Sequence, residues 1–317
     1  MTNSEHTVSA SATKILAQVR QAVVGKDPVL LWALASILAG GHILMEDIPG
    51  VGKTTMALGF SKTLGLQYSR MQFTPDVLPS DITGYSVLDP KTQETSYRPG
   101  AVLCNLFLAD ELNRATSRTQ SALLEAMEEG QVTVDGVSHA VPQPFIVIAT
   151  QNPTGAAGTQ LLPDSQMDRF MVRLSLGYPS VEDEIAMVES RKEGNPLQAM
   201  LPVLSKEELL QLQAQVEQTY VGNVVVKYVV DLIHATRNHP CIRLGASPRA
   251  TLAVIALSKA VAQLRGRDFV TPEDVKSAFL QAIPHRLQLA DEAVLQKQTE
   301  AEVLQRILLA VKEPDLK

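Results

Sequence analysis

The stretch that decides the fold is Asp47-Ile-Pro-Gly-Val-Gly-Lys-Thr54. It fits the phosphate-binding pattern G-x-x-x-x-G-K-[ST] at every fixed position except the first, where Asp47 stands in place of glycine. Gly50 and Gly52 free the backbone to turn its N–H groups inward around phosphate oxygens. Lys53 has the reach for β- and γ-phosphates, and Thr54 offers its hydroxyl to a magnesium ion. Pro49, Val51 and Thr55 complete the expected wall of the loop. Upstream, His42-Ile-Leu-Met45 is a short apolar strand; downstream, Thr54 to Leu64 predicts a helix whose N-terminus adds its positive dipole end.

Working outward, short apolar runs recur at Leu66 to Phe73, Leu103 to Ala109, Phe145 to Ala149 and Phe170 to Leu176. Helical patterns lie between them, as at Ser117 to Glu129, where Leu123, Leu124 and Met127 share one face. Strands apolar on both faces, alternating with helices, predict a parallel sheet covered on two sides. Two polar hairpins interrupt the rhythm: Ser86 to Tyr97 turns at Asp89-Pro90, and Val132 to Val137 turns at Asp135-Gly136. Ahead of the loop, Ser11 to Val24 predicts a helix, and Asp27-Pro28 reads as an N-cap opening a second one through Leu38.

After Gly177-Tyr178-Pro179 the pattern changes to helices only. Ser205-Lys-Glu-Glu208 is a capping box, and Ser247-Pro248 and Thr271-Pro272 each read as an N-cap followed by proline. Val224 to Arg237 is strand-like in propensity, but its length favours a helix. The expected organisation is an α/β nucleotide-binding core over residues 1–179 and a helical domain over 180–317.

Two further motifs carry chemistry. Leu106-Phe-Leu-Ala-Asp-Glu111 is an apolar strand ending in two carboxylates. Asp110 is expected near a nucleotide's magnesium, and Glu111 is poised to polarise an attacking water. Ala149-Thr-Gln-Asn-Pro153 ends another apolar run; an amide there can hydrogen-bond a γ-phosphate or the water. Asn152 fits that task, with Gln151 and Thr150 as alternatives.

The 317 residues carry 28 basic and 34 acidic side chains, a formal charge of −6, and neither half is basic. Duplex DNA or an anionic membrane is therefore not the expected partner. Aromatic residues are only 4%, little material for base stacking. Cys104 and Cys241 are far apart, which excludes a disulfide framework and fits a cytoplasmic setting. The longest apolar run, Leu30 to Ala39, is about half a membrane span. The polar start, Met1 to Ser11, lacks the features of a secretion signal.

With these residues in hand, the chain resembles the MoxR family of AAA+ ATPases. The resemblance rests on Glu46 to Thr55; on Gln72-Phe-Thr-Pro-Asp-Val-Leu-Pro-Ser-Asp-Ile-Thr-Gly84; and on Leu108-Ala-Asp-Glu-Leu-Asn-Arg-Ala115. It continues through Thr119 to Gly130, Ala149 to Pro153, Leu162-Pro-Asp-Ser-Gln-Met-Asp-Arg-Phe170 and Gly245-Ala-Ser-Pro-Arg-Ala250. It covers nearly the whole chain after the first twenty residues, and the family tolerates aspartate at the first loop position.

The resemblance implies a five-stranded parallel sheet, with the Asn152 strand between the P-loop strand and the Asp110 strand, followed by an all-helical lid. Residues Thr74 to about Pro99 would form an insertion. Asn152 would be the first sensor, Arg169 the arginine finger and Arg249 the second sensor. Val23, Val24, Gly25 and Ile43 would line the adenine pocket. ATP and Mg2+ are the implied cofactors, bound between core and lid. The implied assembly is a homo-oligomeric ring, usually a hexamer, because a finger that acts on a neighbour's ATP leaves one subunit incomplete. The implied partner carries a von Willebrand A domain, and the implied work is chaperone-like remodelling in protein or metal-centre maturation. Arg114 and Arg118 could also face a neighbouring nucleotide. Two alternatives share this branch: a magnesium-chelatase-like motor subunit, and a nucleic-acid-directed motor or transcription activator. The activators' Gly-Ala-Phe-Thr-Gly-Ala loop is not in the chain. A scaffold that binds ATP without turnover is disfavoured by the presence of Glu111, Asn152 and Arg169.

Overall fold

The computed structural model describes residues 7–152, 162–192 and 194–315. The first residues of the polar start and Pro153 lie outside them. Helices α1 (Val8–Arg20) and α2 (Asp27–Leu38) lead into β1 (Ile43–Glu46), α3 (Lys53–Thr63) and β2 (Tyr68–Gln72). A short α4 (Pro79–Thr83) carries the hairpin of β3 (Gly84–Leu88) and β4 (Thr95–Pro99). Then come β5 (Leu106–Asp110), α5 (Ser117–Glu129), a second hairpin of β6 (Gln131–Val134) and β7 (Val137–Ala140), and β8 (Ile146–Gln151). After α6 (Asp164–Met167) and β9 (Val172–Leu174) the chain runs through α7 (Val181–Lys192), α8 (Pro196–Ala199), α9 (Lys206–Glu217) and α10 (Asn223–Arg237). It ends with β10 (Ile242–Leu244), α11 (Pro248–Leu264), α12 (Pro272–Ala282), β11 (Gln288–Leu289), α13 (Asp291–Leu295) and α14 (Glu300–Ala310).

The main sheet is parallel, in the order β2-β5-β8-β1-β9. The P-loop strand β1 thus neighbours β8, and β8 neighbours β5, as the resemblance implies. Alternate residues of β1, β5 and β8 feed two different cores, because successive side chains point to opposite faces. Ile43, Met45, Leu106, Leu108, Ile146 and Ile148 pack with residues of α1, α2, α3 and the later helices. Leu44, Phe107, Ala109, Val147 and Ala149 pack with Leu123, Leu124 and Met127 of α5. These two-sided strands are why the runs read as continuously apolar. Strand β2, at the sheet edge, is mixed in burial and polar in sequence.

The helical region that follows β9 departs from helices only: β10 and β11 pair as a two-stranded antiparallel ribbon, and Tyr220 and Phe269 form an isolated parallel bridge. Its helices share a continuous apolar core with α1 and α2. Ser205 and Glu208 form the expected capping box, at 3.2 and 2.7 Å. Ser247 caps α11. Asp27, by contrast, is not a cap: it lies inside α2 and takes the Arg20 guanidinium at 2.6 Å. Helix α1 also stops at Arg20, so Val23 and Val24 fall in the turn before Gly25, whose φ is +71°. Both hairpins form where expected. Asp135 and Gly136 both adopt positive φ, which a tight two-residue turn requires. Tyr97 of β4 stacks on His139 of β7 at 3.6 Å, tying the hairpins together.

Candidate functional site

At the C-terminal end of β1 the chain turns through Gly50 (φ +88°) and Gly52 (φ +103°) into α3. No atom lies within 4 Å of where a Cβ would stand on either glycine. The loop is therefore an open cradle of amides at a helix N-terminus, the arrangement that binds anions. Lys53 bends back over it, its Nζ donating to the carbonyls of Asp47 (2.7 Å) and Ile48 (3.0 Å). Partial burial lowers the Lys53 pKa, while the charges of Asp47, Asp110 and Glu111 oppose that shift. Thr54 and Thr55 follow in the first turn of α3, half-buried.

Asp47, at the position the motif gives to glycine, is buried and fully used. Its carboxylate accepts from the backbone N–H groups of Leu176 (2.6 Å) and Gly177 (3.0 Å) and from the Ser175 hydroxyl (2.8 Å). The base of the P-loop is thereby bolted to the segment that leaves β9.

The register of β5 against β8 brings the two carboxylates beside the loop. Thr150, buried at the end of β8, organises both. Its hydroxyl donates to Asp110 Oδ1 (2.7 Å) and accepts from the Glu111 N–H (2.8 Å). Glu111 itself has φ +56°, a left-handed conformation that non-glycine residues adopt rarely and that recurs at functional sites. The outer oxygen of Asp110 takes Arg70 at 2.7 Å, and Glu111 takes Arg114 at 2.8 Å. Arg118 is exposed on α5. Asn152 follows β8 directly, half-buried, its carbonyl accepting from Asn113 at 3.4 Å. Gln151 is buried and donates to Glu46 at 3.0 Å.

A cleft of about 520 Å³ opens beside the loop, within the roughly 300–1,000 Å³ of small-molecule sites. Val23, Val24, Gly50, Val51, Gly52 and Thr55 form its floor, and Met187, Arg191 and Pro196 from α7 and α8 its far wall. Pro49 lines an adjoining hollow with Tyr178. Gly25 borders the cleft closely: a Cβ there would strike the Asp183 carboxylate. Ile43, expected in the adenine wall, is fully buried in the sheet core instead. The far wall of the cleft comes from α7 and α8, which no motif announced. Arg191 brings a cation to the cleft from a helix that reads as ordinary polar sequence.

Arg169 and Arg249 lie elsewhere. Both pair with one carboxylate, Glu128 at the end of α5: Arg169 at 3.2 Å, Arg249 through a second short contact. The neighbouring Met127 carbonyl accepts from His42, just ahead of β1, and the N–H of Met171 donates to the His42 carbonyl. This group therefore sits at the N-terminal edge of the sheet, a strand's length, roughly 13 Å or more, from the P-loop at the C-terminal edge. Arg169 does not pair with its neighbour Asp168, which is held by Arg286 at 2.8 Å.

A parallel sheet of this order, with a P-loop after the fourth strand in that order and an acid pair two strands away, defines an AAA-type nucleotide-binding core. The family model described as "ATPase family associated with various cellular activities (AAA)" matches residues 42–172, and the one described as "AAA lid domain" matches residues 234–307. YeaC of Bacillus subtilis, an uncharacterized protein, is 42% identical over 95% of this chain and 94% of its own. Chaperone MoxR1 of Mycobacterium tuberculosis is 38% identical over 94% of this chain and 81% of its own. A crystal structure from Cytophaga hutchinsonii, of a protein described as a candidate ATPase, superposes with a TM-score of 0.88 at 33% identity, covering 97% and 96% of the two chains. The chain belongs to the MoxR family of AAA ATPases.

Proposed function

We propose that this chain is a Mg2+-dependent ATPase that acts as a homo-oligomeric ring, with each nucleotide shared between two subunits. One subunit supplies the grip: the amides of Gly50 to Thr54, the Lys53 ammonium, and an adenine wall at Val23, Val24 and Gly25. Magnesium, when bound, would offset the charge on the phosphates. Thr54 and Asp110 fit as its protein ligands, since such ions usually keep waters and phosphate oxygens in their shell. Glu111 takes the proton of the attacking water, and Asn152 orients that water or the terminal phosphate. Arg70 pairs with Asp110 and Arg114 with Glu111, so each acid has a cation beside it.

The adjoining subunit supplies Arg169, and Arg249 beside it. The observation that carries this reading is the distance between the two ends of the sheet. A guanidinium fixed at the N-terminal edge cannot meet a phosphate at the C-terminal edge of its own subunit. AAA ATPases are typically oligomeric, and a guanidinium from a neighbour is a known source of large rate increases. Glu128 keeps both arginines paired until that phosphate arrives. The division into a core over 1–179 and a helical unit over 180–317 is part of the same proposal, as is a hexamer.

The work done is remodelling of partner proteins, supported by the name of MoxR1 as a chaperone. A protein with a von Willebrand A domain is the partner the family resemblance favours, docking at the two exposed hairpins. Two free cysteines fit a cytoplasmic site of action. Among the described residues no helix is long and apolar enough to cross a membrane. The test is complementation: Arg169→Ala and Lys53→Ala, each nearly inactive alone, should recover ATP hydrolysis when mixed. Activity of the mixture no greater than the two added together would overturn the shared site.

A further inference from the structure

Arg286 is a buried side chain that is engaged at every donor of its guanidinium. It sits in a single helical turn, Pro284–Arg286, after α12 and is only 2% exposed. Nε donates to Asp168 Oδ1 (2.8 Å); Nη2 donates to the carbonyls of Asp168 (3.0 Å) and Phe170 (2.6 Å). Nη1 donates to the Met171 carbonyl (3.1 Å) and to that of Ala282. All five N–H groups are used. His285, in the same turn, adds a bond from Nε2 to the Phe170 carbonyl at 2.9 Å. The carbonyls on both sides of Arg169 are thus held by two side chains from one turn of the helical region.

A second link closes the arrangement. The other oxygen of Asp168 accepts from the Ser247 hydroxyl at 2.7 Å, and that hydroxyl also caps α11 by accepting from the Ala250 N–H. Arg249 lies in the first turn of α11. Asp168 therefore joins the segment bearing Arg169 to the helix bearing Arg249. A buried ion pair of this kind is a poor means of raising stability, because desolvation offsets most of the attraction. What it secures is a fixed geometry, and a finger that must meet a phosphate across an interface needs that: a displacement of about 1 Å can cost about 10²-fold in rate.

We propose that Arg286 is a positioning residue for catalysis between subunits. It clamps Asp168 to Met171, and through Asp168 the cap of α11, so that Arg169 and Arg249 are delivered to the neighbouring nucleotide as one rigid unit. This rests on the shared-site reading above.

The experiment uses the full-length chain. Arg286→Met keeps the length of the side chain and removes its donors; a second variant, Arg286→Met with Asp168→Asn, also removes the buried carboxylate charge in case the single change prevents folding. Steady-state ATP hydrolysis and the affinity for a fluorescent ADP analogue are measured for each alone and in equimolar mixtures with Lys53→Ala. The expected result is a turnover number lower by about 10²-fold, with nucleotide affinity and KM within about twofold of the parent. Mixing with Lys53→Ala should then restore turnover, since that subunit brings an intact clamp and finger. Parental turnover in both variants would overturn the clamp, as would loss of activity that mixing does not restore while the Arg169→Ala mixture is restored. If the Arg169→Ala mixture also fails, the shared site falls first, and the role of Arg286 falls with it.

Discussion

The two ends of the central sheet are built in opposite ways. At the C-terminal edge, the proposed nucleotide grip comes from consecutive residues, Asp47 to Thr54, and would depend mostly on backbone amides. At the N-terminal edge, the arginine cluster draws on Glu128, Asp168, Arg169, Ser247, Arg249 and Arg286, spread across more than half the chain, and depends on side chains. The first end lies in one strand–loop–helix stretch, tied to distant residues through the Asp47 carboxylate. The second combines the core with the helical region, which supplies Ser247, Arg249 and Arg286. A local grip and a long-range reach in one subunit suit a machine whose catalytic parts meet across an interface.

The sharpest way to break this contrast is at Arg169. Arg169→Ala should lower ATP turnover by about 10³-fold or more yet leave nucleotide affinity intact, because it touches nothing at the P-loop. A large loss of affinity would mean the two ends are not separate. Glu111→Gln should follow, with turnover reduced by about 10²–10⁴-fold and ATP still retained. Normal hydrolysis in that variant would remove Glu111 from the mechanism.

Asp47 tests the local end for a hidden long-range part. Asp47→Ala leaves the N–H groups of Leu176 and Gly177 without their acceptor, at a cost of about 1–3 kcal/mol each where they are buried. Thermal unfolding should shift down by several degrees, and nucleotide affinity should fall with it. An unchanged melting temperature would show that the bolt between P-loop and β9 carries no energy.

Acid should weaken the N-terminal edge. Burial pushes the His42 pKa down to about 4. The neutral ring accepts from the Val147 N–H at Nδ1 (3.0 Å) and donates from Nε2 to Met127 (3.2 Å). The unfolded chain takes up this proton near the ordinary value of 6.5, the folded chain only near 4. Stability is therefore intact above about pH 6.5 and declines as pH falls toward 4, by up to about 3 kcal/mol. Burial, followed by the charge of Arg286, lowers His285 in the same direction. Unfolding measured from pH 7 to pH 4 should show this decline, and His42→Gln should flatten it. Parallel curves for parent and variant would contradict the assignment.

What the sequence made legible follows from the same contrast. The place of the Asn152 strand in the sheet came from the family resemblance; the P-loop and the acid pair could be read because each lies in a run of neighbouring residues with its own periodicity or turn chemistry. The caps at Ser205 and Ser247 were legible for the same reason. Asp47 read as a tolerated departure from the motif, since its partners are some 129 residues away. Arg169 and Arg249 were placed by family resemblance, and nothing local revealed that they share Glu128. Ile43 was expected at the adenine wall from the family resemblance; strand alternation turns it into the core. The wall formed by α7 and α8 was silent, as neither helix carries a signature.

The most direct test of the central claim is calorimetric titration of MgATP into the folded Glu111→Gln chain. The expected result is saturable binding of one nucleotide per subunit, abolished by adding Lys53→Ala. Absence of any binding heat from protein shown to be folded would contradict the grip at Gly50 to Thr54, and with it everything built on that site.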